Sequence, residues 1–297
     1  MAFNTRVFKT RTLTAIIFAA VMLTGLLWNH WSFLILFSII HFGCWWEYFK
    51  LLEKISNRIY HYYTRVGFMS VGYSIMLWFC DEAYEINNYS FNVSFSFAFA
   101  IAGLLFLVIG LFQKQNINLK IFVIAALGLV YISLCWGLMM DLKYIKFGNP
   151  VLQFEGDKIY ASFLPIVVIV SIWVNDTMAY IVGSLIGKTP LSRISPKKTW
   201  EGTIGGIALC SGIIGYVAYT YDEWFVLGQP LWFWITLTGI AAISGTFGDL
   251  FESKLKRMAG VKDSGSFMPG HGGFLDRFDS LLFAIPFVWL FLKLMVH

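Results

Sequence analysis

Residues 173–187 read WVNDTMAYIVGSLIG and end an apolar run that begins near residue 160. Such a run reaches the roughly 20 apolar residues that a helix needs to cross the hydrocarbon core of a bilayer. Asp176 lies inside it, and helical spacing puts Asp176 on one face with Ala179, Gly183 and Gly187. Because glycines four residues apart let another helix approach closely, this face is expected to point toward neighbouring helices.

The composition extends this interpretation to the whole chain. Of 297 residues, 58% are hydrophobic and only 13% are charged, whereas soluble domains carry roughly 25% charged residues. A water-soluble fold is therefore excluded. Eight more apolar segments lie at 13–28, 31–49, 66–80, 93–112, 119–140, 203–221, 231–248 and 280–296. We predict an all-α, polytopic integral membrane protein with about nine transmembrane helices.

The distribution of Lys and Arg predicts the orientation. These residues concentrate in the N-terminal stub and after the second, fourth, sixth and eighth segments, while the loop between the fifth and sixth segments blurs the pattern. The positive-inside rule then puts the N-terminus in the cytoplasm and the C-terminus outside. The net charge of +5 does not indicate nucleic-acid binding, because the basic residues cluster between apolar segments.

Polar residues of unusual placement lie almost entirely after Asn175. We therefore predict one membrane domain, in which residues 1–150 form a lipid-facing scaffold and residues 151–297 carry the catalytic site. The four cysteines occur singly inside apolar stretches without a CxxC pair, which is typical of buried, reduced thiols.

The loop 187–202, GKTPLSRISPKKTWEG, is a candidate phosphate-binding segment. Lys197 and Lys198 supply point charges suited to phosphate, and Thr199 adds a hydroxyl. A purely topological anchor is the alternative. Glu201 and the glycines that follow favour a loop held in place by tight packing.

Carboxylates recur with helical spacing farther along the chain. Asp249, Glu252 and Lys256 fall on one helical face, and Asp276 follows two glycines, with Asp279 three residues later. Carboxylates beside Lys and Arg suit Mg²⁺ that is held jointly by protein and substrate phosphates. A histidine between glycines, His271, either contacts phosphate or is structural, and the residues leave both readings open.

Residues 253–279, SKLKRMAGVKDSGSFMPGHGGFLDRFD, resemble the signature of the phosphatidate cytidylyltransferases, also called CDP-diacylglycerol synthases. The fixed Ser, Lys-Arg, Lys-Asp, His-Gly-Gly and Asp-Arg-x-Asp positions are all present, and Met268 is a minor apolar departure. Residues 176–180 and 194–202 also resemble the family, so the similarity covers about residues 173–280. Trp46-Glu47 is similar to family members as well.

The resemblance implies transfer of CMP from CTP to phosphatidic acid, which gives CDP-diacylglycerol and pyrophosphate in phospholipid biosynthesis. It also implies a many-helix membrane fold, Mg²⁺ with K⁺ as a candidate second ion, and a homodimer. A chain with little beyond the membrane core suits a bacterial inner membrane, with the active site facing the cytoplasm.

The resemblance implies that Asp249 and Asp276, which both stand in matching motifs, are the metal-binding pair. From its position inside an apolar span, we predict that Asp176 completes the cation site. The other site residues are predicted from the chemistry of their side chains. The predicted catalytic residues are Asp176, Lys197, Lys198, Asp249, Asp276 and Arg277. The predicted contacts to substrate phosphate are Lys197, Lys198, Thr199, Ser253, Lys256, Arg257, Lys262, His271 and Arg277.

Other function classes fit the residues less well. A CDP-alcohol phosphotransferase needs an Asp-Gly-x-x-Ala-Arg core, which is absent, and Ser280 stands where that family requires an Asp. A transporter or flippase with an intramembrane ion site at Asp176 is the main alternative. A structural scaffold would not require so many phosphate-suited groups on one membrane face.

Overall fold

The computed structural model describes residues 5–112, 119–145, 162–225, 228–267 and 272–295. Within these ranges the chain is almost entirely helical, with one two-stranded hairpin. The helices are α1 (Thr5–Leu27), α2 (His30–Ser56), α3 (Tyr62–Trp78), α4 (Ser96–Leu111), α5 (Leu119–Gly128), α6 (Cys135–Leu142), α7 (Phe163–Ile186), α8 (Trp200–Phe225), α9 (Leu231–Met258) and α10 (Leu275–Met295). The strands are β1 (Glu85–Ile86) and β2 (Tyr89–Ser90), which pair antiparallel.

Each of the nine predicted apolar segments corresponds to helix in the described ranges. A π-helical turn, Leu129–Leu134, joins α5 to α6 into one continuous segment, and another, Phe91–Phe95, leads into α4. Seven helical segments among the described residues are long and apolar enough to cross a membrane. The part of α1 from Thr14 to Leu27 is apolar but shorter. The all-α polytopic class is thus confirmed, while nine crossings and a cytoplasmic N-terminus stay predictions.

The chain divides into two compact units. Unit 1 comprises Met1–Asp141 and Leu255–Phe278, and unit 2 comprises Leu142–Lys254 and Asp279–His297. The sequence analysis divides the chain differently, into a scaffold of residues 1–150 and a catalytic part of residues 151–297. That functional division stays a prediction.

Aromatic residues of α2 form the centre of unit 1. Phe33, Phe37, Trp45 and Phe49 are almost completely buried, and the Trp45 ring stacks on Phe68 of α3 with centroids 6.2 Å apart. An Asn29 cap begins α2: its Oδ1 accepts from Ser32 N at 2.7 Å. The N-cap and the aromatic packing therefore both stabilise α2, around which unit 1 is built.

Glycines allow α7 and α8 of unit 2 to pack closely. A Cβ on Gly202 would lie 2.6 Å from Ala179 O, and one on Gly206 would lie 2.8 Å from Ala179 N. On α7, a Cβ on Gly183 would come 3.0 Å from Thr199 Oγ1. The close helix approach that the Gly183–Gly187 face predicts is therefore confirmed.

A second close approach in unit 2 joins α9 to α10. A Cβ on Gly248 would lie 2.8 Å from Phe283 Cβ and 3.0 Å from Ser280 Cα. Only a residue without a side chain fits at this distance. Asp249 is the next residue along α9, and one of its carboxylate oxygens lies within 4.8 Å of a carboxylate oxygen of Asp279.

Because glycines let α7 and α8 pack closely, a larger side chain at a contact glycine should lower the stability of the protein, whereas one at a glycine away from the contact should not. Gly206→Leu should lower the thermal unfolding midpoint of the purified protein in detergent, because overpacking costs about 1–3 kcal/mol. Gly212→Leu on the same helix is the matched control, since among the described residues no atom outside the local helix backbone lies within 4 Å of a Cβ there. Equal midpoints for the two variants would contradict this packing.

Candidate active site

An ion pair between Lys198 and Asp249 lies at the centre of the polar part of unit 2. Lys198 comes from the loop between α7 and α8, and Asp249 comes from α9. Their side chains retain 29% and 24% of their exposure, so both are half-buried. The structure thus joins two predicted catalytic residues that lie 51 positions apart.

The loop that carries Lys198 is held by its own backbone. Pro190 and Thr199 form an isolated β-bridge, and Leu191 N donates to Lys198 O at 2.7 Å. The Glu201 carboxylate accepts from Lys188 N and Thr189 N, each at 3.2 Å. These bonds confirm a loop that is fixed in place.

Thr199 begins α8 as its cap. Its Oγ1 accepts from Gly202 N at 3.1 Å, and its carbonyl accepts from Thr203 N at 2.9 Å, the pattern of an N-cap threonine. A contact of this hydroxyl with substrate phosphate stays a prediction. Lys197, next to it in the loop, is exposed.

The surroundings of Lys198 keep its amine charged. Burial lowers the pKa of the Lys198 ammonium, but the negative charges of Asp249, Asp176 and Asp279 outweigh burial and hold the pKa above its usual value. The contribution of the charged Lys198 ammonium to stability is therefore present at neutral pH, and it is lost as the pH rises through the raised pKa. Asp176 of α7 is thus within electrostatic range of Lys198.

Three carboxylates of unit 2 converge beside this pair. One oxygen each of Asp249, Glu252 and Asp279 lies within 4.8 Å of the others. Glu252 is fully buried and Asp279 is 6% exposed. Asp279 Oδ1 accepts from Ser280 N at 2.6 Å.

Oxygen donors of this kind and spacing are those that a hard divalent cation prefers. The donor set therefore fits Mg²⁺. Glu252 and Asp279 are absent from the predicted metal set, although both share a helical face with a predicted ligand. The helical spacing of these acids can be seen in the sequence. The sequence does not show that the approach of α9 to α10 at Gly248 brings the carboxylates of the two helices together.

In unit 1, hydrogen-bond donors surround another carboxylate, that of Asp276. Its Oδ1 accepts from Lys256 Nζ at 2.7 Å. Its Oδ2 accepts from Ser264 N at 2.9 Å and from Gly273 N at 2.8 Å. Lys256, predicted to bind substrate phosphate, is therefore already paired with a predicted metal ligand.

Asp249 and Asp276 belong to different units, so the predicted metal pair stays a prediction. Ser253 Oγ lies 3.5 Å from Asp249 Oδ1. The remaining predicted phosphate contacts of unit 1 are Arg257 and Lys262, both exposed, and Arg277, which is half-buried in the first turn of α10. His271 lies outside the described residues.

The charge environment of Lys198 predicts slow acylation. At about pH 9, an amine-reactive ester should modify Lys198 several times more slowly than the exposed Lys197, because only a neutral amine reacts and the neighbouring carboxylates hold the pKa of Lys198 above its usual value. Asp249→Asn should increase Lys198 labelling, measured by peptide mass spectrometry. Equal labelling of the two lysines in the unaltered protein would contradict the ion pair.

Comparison with known proteins connects this geometry to a family. The model of the Cytidylyltransferase family matches residues 9–295. Phosphatidate cytidylyltransferase of Staphylococcus saprophyticus is 33% identical over 280 residues, which cover 94% of this chain and 96% of that protein.

Shorter matches of higher identity accompany that match over 94% of the chain. The phosphatidate cytidylyltransferase of Synechocystis is 46% identical over 127 residues, 42% of this chain and 41% of that protein. The Thermotoga maritima enzyme of the same name is 42% identical over 138 residues, 44% of this chain and 49% of that protein. With a family match that extends over nearly its whole length, the chain belongs to the cytidylyltransferase family.

Proposed function

We propose that this chain transfers CMP from CTP to phosphatidic acid, forming CDP-diacylglycerol and pyrophosphate. The observation that carries the proposal is the charged Lys198 beside the carboxylates of Asp249, Glu252 and Asp279, in a chain whose full-length relative is named for this reaction. A cation and a set of hard oxygen ligands are the groups that a nucleotide triphosphate requires.

The chemistry asks for positioning and charge neutralisation. Phosphatidic acid supplies an anionic phosphate oxygen as nucleophile, so the protein needs no strongly activated general base. That oxygen attacks the α-phosphorus of CTP, and the bond to the bridging oxygen of pyrophosphate breaks. Both reactants are anions, and the barrier is lowered by cations that stabilise charge on the α-phosphate and the leaving group.

Asp249, Glu252 and Asp279 are the residues that we propose to hold Mg²⁺. This set retains Asp249 from the predicted pair and adds two carboxylates that lie close to it. Bound Mg²⁺ would polarise the CTP phosphates and neutralise developing negative charge. Asp276 and Asp176 remain proposed contributors, and K⁺ remains a proposed second ion.

Lysine and arginine side chains are proposed to bind the substrate phosphates. Lys198 stays protonated at neutral pH, and the exposed Lys197 extends from the same loop. In unit 1 the proposed phosphate contacts are Lys256, Arg257, Lys262 and Arg277; Ser253, Thr199 and His271 keep the same proposed role.

The proposed location is a bacterial inner membrane with the site on the cytoplasmic side. Its support is the concentration of Lys and Arg in alternate loops and the membrane-length helices. A homodimer is proposed from the family resemblance alone. Nothing in the relatives' names favours the transporter alternative, since each matched relative is named as a cytidylyltransferase.

The reaction is tested with CTP that carries its label on the α-phosphate. Purified full chain in detergent should move this label into the solvent-extracted lipid fraction only when both phosphatidic acid and Mg²⁺ are present, with equal release of pyrophosphate. Label on the γ-phosphate should appear in pyrophosphate and not in lipid. Failure of the α-label to enter lipid would contradict the proposed function.

Two variants separate metal binding from phosphate neutralisation. Asp249→Asn should raise the Mg²⁺ concentration for half-maximal rate by about tenfold or more, because a carboxylate ligand is lost. Lys198→Met should reduce kcat by about a hundredfold, as for loss of one preorganised charge-stabilising group, without raising the Mg²⁺ requirement. Full turnover of Asp249→Asn at unchanged Mg²⁺ dependence would contradict the metal assignment.

A further inference from the structure

Glu47 is a buried carboxylate of unit 1 that the proposed chemistry does not use. It lies on α2, among the scaffold helices, and only 4% of it is exposed. Placing a carboxylate in such a site is costly unless hydrogen bonds satisfy it. Its partners therefore indicate what the residue is for.

Both identified partners come from the other end of the chain. Glu47 Oε2 accepts from Ser264 Oγ at 2.7 Å and from Leu275 N at 2.9 Å. Leu275 is the first residue of α10, so the carboxylate lies at a helix N-terminus, where a negative charge is favourable. The three residues join α2 to the loop before α10 and to the start of α10 itself.

Two glycines leave room for this carboxylate. For a Cβ built on Gly265 or on Gly273, the three nearest heavy atoms in each case all belong to the Glu47 side chain. Both backbone segments thus approach Glu47 more closely than any side chain would allow. The backbone at these two glycines is shaped around the Glu47 carboxylate.

The same contacts lead on to Asp276. Ser264 Oγ lies 3.0 Å from Asp276 Oδ2, and the Ser264 and Gly273 amides both donate to that oxygen. The Ser264 hydroxyl carries one hydrogen, so it can donate to Glu47 or to Asp276 but not to both at once. Glu47 and Asp276 are therefore coupled through one serine.

We propose that Glu47 is a positioning residue for the predicted catalytic segment. Its carboxylate fixes the start of α10 and the Ser264–Gly265 backbone, and in this way orients Asp276 and its Lys256 partner. The role in turnover rests on the proposed function; the role in ordering the loop does not. Glu47 acts through its reach and its hydrogen-bond acceptors and takes no part in a chemical step.

Reach and charge can be separated by two substitutions. Glu47→Gln keeps the length and one acceptor oxygen for Leu275 N, and leaves the Ser264 hydroxyl free to donate to Asp276. Glu47→Asp keeps the charge but shortens the side chain by one methylene, which withdraws it from both donors. We expect Glu47→Gln to retain kcat/KM for CTP within about threefold, and Glu47→Asp and Glu47→Ala to lose about tenfold or more, since such misplacement of catalytic groups is costly.

Glu53→Gln is the matched control for these variants. Glu53 lies on the same helix and is half-buried, and its carboxylate pairs with Arg65 and accepts from Tyr60 N, both within the N-terminal part of the chain. It should leave kcat/KM unchanged. Higher activity of Glu47→Asp than of Glu47→Gln would overturn the positioning role, because that order requires the charge of the side chain rather than its length.

A double variant tests the shape argument. Gly265→Ala should reduce activity by about tenfold when Glu47 is present, because its Cβ collides with the carboxylate. In a Glu47→Ala background the same change should cost less than about twofold, because coupled neighbours are not additive. Fully additive losses would overturn the proposal.

Hydrogen–deuterium exchange gives a readout independent of turnover. In full chain held in detergent, Glu47→Ala should speed exchange of peptides containing Ser264 and Leu275 by about tenfold or more, since protection reports local opening, whereas Glu53→Gln should not. Unchanged exchange in Glu47→Ala would overturn the inference. Faster exchange in a protein whose unaltered form makes no CDP-diacylglycerol would leave the positioning role intact and contradict the proposed function instead.

Discussion

A carboxylate in an apolar helical protein must meet a cation or several N–H and O–H donors, and this constraint shapes both units. In unit 2 the Lys198 ammonium pairs with Asp249. In unit 1 Lys256 pairs with Asp276, whose other oxygen receives two backbone amides. Since an unpaired buried charge costs several kcal/mol, each acid fixes the loop or helix that supplies its donors.

Helix packing determines which carboxylates of unit 2 lie close together. Gly248 lets α9 approach α10, and the approach gathers Asp249, Glu252 and Asp279 within 4.8 Å. Three carboxylates gather beside the Lys198–Asp249 ion pair. Their oxygen atoms are the kind of donor that a hard divalent cation prefers, which is the physical reason for assigning Mg²⁺ to this cluster.

The sequence predicted the helices well because bilayer thickness imposes a length and a composition on each of them. It also identified Lys198, Asp249, Lys256 and Asp276 as residues of interest, through charge within an apolar chain. It did not predict which acid meets which lysine, because that depends on loop folding and on glycine contacts between helices.

The sequence marked Glu47 by resemblance, but its contacts could not be predicted, for the same reason. Its two donors lie 217 and 228 positions away along the chain, and no local spacing relates them. Its position on α2 indicates only a single acidic residue in a helix of the predicted scaffold. Only the folded chain shows that two glycines and a serine of the C-terminal segment enclose it.

The assignment of Mg²⁺ to the unit 2 carboxylates is the central claim, and electron paramagnetic resonance of Mn²⁺, used in place of Mg²⁺, tests it most directly. Full chain with CTP should bind Mn²⁺, and Glu252→Gln or Asp279→Asn should weaken binding by about tenfold or more, as for the loss of a ligand, while Glu53→Gln leaves it unchanged. Mn²⁺ affinity that survives both substitutions would contradict the assignment of the cation to this cluster.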